Sequence, residues 1–93
     1  MVVAWMASRT IRPRKMRAFR KAWQFKKRPR GLIRLYFLRG PRDEMIGISV
    51  FESRAALARY RRTPAERQRL AAMKPMVKRV NWAGVYNAED VRL

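Results

Sequence analysis

The stretch Glu44-Met45-Ile46-Gly47-Ile48-Ser49-Val50-Phe51-Glu52-Ser53 reads as a strand that passes straight into a helix. In extended chain Ile46, Ile48 and Val50 share one face, and Met45, Gly47, Ser49 and Phe51 share the other. Ser53 then offers its hydroxyl to the free amides of the helix opened by Arg54-Ala55-Ala56-Leu57. Neither face of the strand is polar, so both need a cover.

Upstream, Val2 to Ile11 alternates as a first strand, with Val3, Trp5 and Ala7 on one side and Val2, Ala4, Met6 and Ser8 on the other. Pro13 suits the first turn of a helix, whose apolar stripe is Met16, Phe19 and Trp23 with Ala22 beside them. Lys26-Lys27-Arg28-Pro29-Arg30-Gly31 closes that helix and supplies a turn. Gly31 to Arg39 is a second strand, dense in β-formers, with Ile33, Leu35 and Phe37 opposed to Leu32, Arg34, Tyr36 and Leu38. Gly40-Pro41-Arg42-Asp43 joins it to the strand quoted above, which makes an antiparallel hairpin.

Downstream, Leu57 and Tyr60 mark the inner side of the second helical segment. Thr63-Pro64-Ala65-Glu66 breaks and restarts it: Thr63 caps, Pro64 takes the first turn, and Glu66 sits where a capping box places its carboxylate. A kink or a short second helix is expected through Leu70 and Met73, stopping near Pro75. Val80 to Tyr86 is a last strand with Val80, Trp82 and Tyr86 aligned, and Asn87-Ala88-Glu89-Asp90 is a polar tail. The order βαββαβ predicts a ferredoxin-like α+β fold, a four-stranded antiparallel sheet with both helices on one face. Leu32, Tyr36, Leu38, Met45 and Phe51 predict an apolar surface on the other face, and a two-fold dimer with sheets packed together buries it.

Ninety-three residues, 48% hydrophobic and 11% aromatic, make one domain with one core. No apolar run is long enough to span a bilayer, and Met1 to Arg9 is too short for a signal-peptide core and has no basic residues before it. The expected location is the cytoplasm. Without Cys or His, and with only Asp43, Glu44, Glu52, Glu66, Glu89 and Asp90 as carboxylates, the chain shows no convincing metal-ligand set, and no nucleophile–base pair can be assembled from His or Cys. Gly31, Gly40, Gly47 and Gly84 stand apart, so no phosphate-cradling loop is visible. A conventional hydrolase or metalloenzyme is not expected.

Three stretches are similar to the antibiotic biosynthesis monooxygenase (ABM) superfamily of dimeric α+β barrels. Ser8-Arg9-Thr10-Ile11-Arg12-Pro13-Arg14-Lys15, followed by Phe19 and Trp23, resembles the family's first strand, turn and helix. Gly31 through Phe51-Glu52-Ser53-Arg54-Ala55-Ala56-Leu57 resembles its hairpin and the motif that ends it. Tyr60-Arg61-Arg62-Thr63-Pro64-Ala65-Glu66-Arg67 resembles its helix break. The resemblance implies the fold and the dimer, and, from family members that oxygenate polycyclic aromatic substrates without a cofactor, either cofactor-independent oxygenation or binding of a small aromatic molecule. The haem-degrading branch carries an Asn, a Trp and a His that would fall near Ser8, on Phe51 and near Leu70. This chain departs from all three, so haem degradation is not implied.

A cofactor-free oxygenase needs a water-excluding pocket and a base or donor near the substrate. The candidates are Trp5, Ser8, Arg34, Tyr36, Ser49, Tyr60, Trp82 and Tyr86, expected around a pocket between sheet and helices that takes a small, flat, apolar ligand. Aromatics at strand and helix spacing ordinarily belong to a core, and Trp5, Phe19, Trp23 and Phe51 are assigned there first. Arg34 and Tyr36 stand out, because a charge amid an apolar sheet face needs a partner.

The formal charge is +18, from 24 basic and 6 acidic residues. Between Arg9 and Arg42 there is no acidic residue. Arg12, Arg14, Lys15, Arg17, Arg20, Lys21, Lys26, Lys27, Arg28 and Arg30 crowd the first helix and its approaches, as candidates for binding nucleic acid or another polyanion. A counter-charged partner, drift in an Arg-rich proteome and deliberate supercharging all leave this trace. RNA-recognition motifs share the βαββαβ order, but Met45 to Phe51 lacks their base-stacking aromatics, so sequence-specific RNA reading is not expected.

Overall fold

The computed structural model describes residues 1–93. The elements are β1 (Val3–Ile11), α1 (Met16–Trp23), β2 (Leu32–Arg39), β3 (Glu44–Phe51), α2 (Arg54–Arg61), α3 (Pro64–Met73), a 3₁₀ turn (Lys74–Met76) and β4 (Val77–Asn87). The strands form one antiparallel sheet in the order β2-β3-β1-β4. This is the ferredoxin-like α+β arrangement, with β1 and β3 central because each pairs on both sides.

The two caps of the second helical segment form where the sequence places them. Ser53 Oγ accepts from the Ala56 amide at 3.0 Å, and Thr63 Oγ1 accepts from the Glu66 amide at 3.3 Å. Of a kink or a second helix, the second is what forms, since Thr63 and Pro64 end α2 and start α3. The first helix begins later than Pro13 suggests. Pro13 and Arg14 form a turn, with Arg14 at φ 67°, and α1 starts at Met16 without a side-chain cap. Pro13 is thus part of the turn that redirects the chain, outside the helix.

The faces of the sheet also differ from simple alternation. A bulge between Leu32 and Arg34 pairs Leu32 with Phe51 and Leu35 with Ser49. Leu32 therefore joins Leu35 and Phe37 on the helix side, and Ile33 is left exposed. Met45 and Phe51 also turn to the helices and are fully buried, so these two and Leu32 are not on the open face. The open face carries Tyr36 and Leu38 of β2, Ile46, Ile48 and Val50 of β3, and Trp82 and Tyr86 of β4. Val80 pairs with Arg9 across a register shift and drops out of line with Trp82 and Tyr86.

The helix side holds two apolar clusters. One is Val3, Leu32, Phe51, Ala56, Leu57 and Tyr60; the other is Ile11, Phe19, Trp23, Met45 and Met73. Gly47 lets α1 lie close to the sheet: a Cβ there would stand 2.6 Å from Trp23 Nε1. Three of the buried polar groups, Ser49, Glu66 and Arg69, lie on this side and define the site. No helix is long and apolar enough to cross a membrane.

Candidate functional site

Glu66 and Arg69 sit one helical turn apart on the inner side of α3, with Met73 one turn further. The Glu66 amide takes its cap from Thr63, but its carboxylate does not complete the capping box. Instead Oε1 accepts from the Tyr60 hydroxyl and from Arg69 Nε, each at 2.8 Å. Arg69 Nη1 reaches the backbone carbonyl of Trp23 at 2.7 Å, tying α3 to the end of α1. The guanidinium lies 4.5 Å from the Phe25 ring centre and 5.5 Å from that of Trp5, while Arg61 covers Trp5 at 5.1 Å.

Charge around this cluster is unbalanced. Arg9 reaches the same interior from β1, 5.8 Å from the Phe19 ring centre, and has no carboxylate partner. Burial, then the neighbouring Arg69, hold its guanidinium below the ordinary value, with Glu66 pulling the other way. Two guanidiniums thus face one carboxylate. Burial, followed by the hydrogen bond to Glu66 and its charge, pushes the Tyr60 phenol up, against a smaller opposing effect of Arg69. Tyr60 is a held donor and not a base.

Two spaces meet at Arg69. An inner hollow of about 10 Å³ is bounded by Trp5, Met6, Ala7, Arg9, Trp23, Gly47, Ser49 and Arg69. It has room for about one water. An outer cleft of about 160 Å³ opens between the end of α1 and α3, with Phe25, Tyr60 and Arg69 inside and Lys21, Lys26, Lys27 and Gln68 around it.

The eight candidate pocket residues divide between the faces. Trp5, Ser49 and Tyr60 lie on the helix side at these spaces. Ser8, Tyr36, Trp82 and Tyr86 lie on the open sheet face, away from them, and Arg34 borders a third, more open space of about 260 Å³ at the β2 edge, which shares Gln24 and Phe25 with the cleft. Ser8 is buried there beneath Asn81, whose Nδ2 donates to Ser8 Oγ and Thr10 Oγ1, each at 3.2 Å. Of the ten basic candidates, Arg12 donates to Pro75 O and Arg28 to Leu32 O. None of the ten meets a carboxylate.

The sequence reading passes over Arg69, Arg9 and Phe25, and takes Glu66 for a cap alone. The spacing Glu66, Arg69, Met73 was the available signal, an ion pair at i, i+3 that shares a helix face with a buried methionine.

Comparison with solved structures settles the architecture. A "putative Antibiotic biosynthesis monooxygenase" from Chloroflexus aurantiacus aligns with 99% of this chain and 97% of its own, at TM-score 0.85 and 10% identity. SnoaB, a cofactor-independent oxygenase from Streptomyces nogalater, aligns with 97% of this chain and 95% of its own, at TM-score 0.80 and 18% identity. This chain has the ABM fold. Rv0793 from Mycobacterium tuberculosis aligns over 98% of both chains, at TM-score 0.79 and 21% identity. The ABM likeness is carried by the backbone and its topology, with most side chains different. A scan against protein-family models and a sequence search of curated proteins each find no match.

Proposed function

We propose that the protein binds a small, flat aromatic molecule on the helix side of its sheet and oxygenates it there. The observation that carries this reading is the cleft of about 160 Å³ with Phe25 and Tyr60 for walls and Arg69 within. Its aromatic rings offer faces and edges for stacking, and a guanidinium adds attraction for an electron-rich ring.

Oxygenation without a cofactor requires a substrate that is its own reductant. When a phenol is oxidised to a quinone, one atom of dioxygen becomes the new ring carbonyl, and the other leaves as water with the phenolic hydrogen and the displaced ring hydrogen. The protein's share is to orient the ring, exclude water and favour its anionic form. Arg9 and Arg69 against the single Glu66 leave a local positive field that does the last of these. SnoaB, with the same fold, is named as a cofactor-independent oxygenase, which supports this reaction class.

The test is amide-resolved NMR titration with a panel of electron-rich aromatics, followed by oxygen-electrode assays. The expected result is shifts centred on Phe25 and Gln68 together with ligand-dependent oxygen uptake. Binding without uptake would remove the reaction, and an unperturbed cleft across the panel would remove the site.

The same reading includes a second copy of the chain on the open sheet face, where Tyr36, Leu38, Trp82 and Tyr86 are 41–50% exposed. The ten unpaired cations around α1 favour one further property, nonspecific adsorption to polyanions.

A further inference from the structure

We propose that the cleft selects an aromatic anion of a single ring, of benzoate size, with its ring against Phe25 and Tyr60 and its charged group at the lysine-lined mouth. This rests on the aromatic-site reading above and narrows it in two ways, by size and by charge.

Size is set by volume and by Arg69. The cleft measures about 160 Å³, close to a cavity of about 150 Å³ that holds one benzene. Arg69 borders both spaces, and the hollow behind it is only about 10 Å³. A second ring has nowhere to go past Arg69, and the open space of about 260 Å³ beside Arg34 lies on the far side of Gln24 and Phe25, which border both. Arg69 is not free to swing aside, because Glu66 holds one edge of its guanidinium and the Trp23 carbonyl another.

Charge is set by the lining. No acidic residue borders the cleft, whereas Lys21, Lys26 and Lys27 all do. None of these lysines has a carboxylate partner, since the protein's single ion pair is Glu66 with Arg69. Glu66 itself is occupied by Tyr60 and Arg69 and is turned from the mouth. A neutral ring gains the stacking alone; an anion gains three unpaired cations as well, an attraction that salt screens.

The discriminating experiment titrates the full chain with benzoate, with benzamide as its neutral isostere, and with 1-naphthoate, followed by calorimetry and amide-resolved NMR. Benzoate should bind about tenfold or more tightly than benzamide at low salt, and the ratio should shrink towards one at about 0.5 M salt. The variant with Lys21→Gln, Lys26→Gln and Lys27→Gln should bring benzoate to the affinity of benzamide and leave benzamide unchanged. These side chains are exposed, and an unchanged melting temperature confirms that the variant folds. The naphthoate should bind more weakly than benzoate. Equal binding of benzoate and benzamide would overturn the anion and leave the aromatic site standing. Tighter naphthoate binding would overturn the single-ring limit. Benzoate shifts at Arg12 and Arg17 instead of Phe25 and Gln68 would reduce the effect to bulk charge. Silence from all three ligands would remove both this inference and the reading beneath it.

Discussion

Arg69 is one of 24 basic residues, and the only one whose charge meets a carboxylate. Truncating it strands Glu66, which is 2% exposed, in the interior. The Arg69→Met variant should lose about 3–5 kcal/mol of stability by urea denaturation. Replacing both members, Glu66→Met with Arg69→Met, should recover most of that, short by about 1 kcal/mol for the Tyr60 hydroxyl deprived of its acceptor. A double variant as unstable as the single one would show that packing rather than the stranded charge is responsible. Tyr60 supplies the pH dependence. Its phenol is pushed up by burial and by Glu66, so the fold favours the neutral form. That contribution is whole below the unfolded-chain tyrosine value of about 10, and is lost as pH climbs from there through the raised folded value. Melting temperatures should fall above about pH 10 more steeply in the parent than in Tyr60→Phe. Parallel curves would contradict it.

At the scale of elements, Thr63 joins α2 to α3. Its hydroxyl donates to the Tyr60 carbonyl at 2.7 Å and accepts from the Glu66 amide at 3.3 Å. It thus satisfies one free group at the end of one helix and one at the start of the next. Thr63→Ala should cost about 1–2 kcal/mol in chemical denaturation, and Thr63→Ser should restore most of it. An Ala variant with parental stability would mean that Pro64 alone directs the break. The same joint sets the site, because the break orients α3 so that Glu66, Arg69 and Met73 face inward and Leu70 is left 46% exposed. The bulge in β2 acts similarly, transferring Leu32 into the core and exposing Ile33.

For the molecule as a whole, the open sheet face and the surface charge lead to opposite behaviours. Trp82, Tyr86, Tyr36 and Leu38 form an exposed apolar surface on a sheet that no helix covers. Light scattering should report a dimer, and Trp82→Glu with Leu38→Glu should yield a folded monomer by placing unpaired charges in the interface. A parent that stays monomeric at high concentration would refute the arrangement. The ten cations around α1 predict retention on heparin that falls steeply with salt, because each phosphate or sulfate contact releases a counterion. Retention that is flat from low to moderate salt would refute adsorption by charge.

Much of this fold was legible in the sequence, because its determinants are local. Strand alternation, the stripe of Met16, Phe19 and Trp23, the Ser53 and Thr63 caps and the turn at Gly40 to Asp43 each act within a few residues. They dictated the element order, and the element order dictated the topology. The site was decided elsewhere. Arg69 meets the Trp23 carbonyl across 46 residues of chain, and Arg9 reaches the same interior from another strand. Which of the 24 basic residues is buried depends on which turn of α3 faces the sheet, and that follows from packing. Bulges act likewise: one extra residue reverses a face, and alternation within a single strand carries no trace of the partner that forces it.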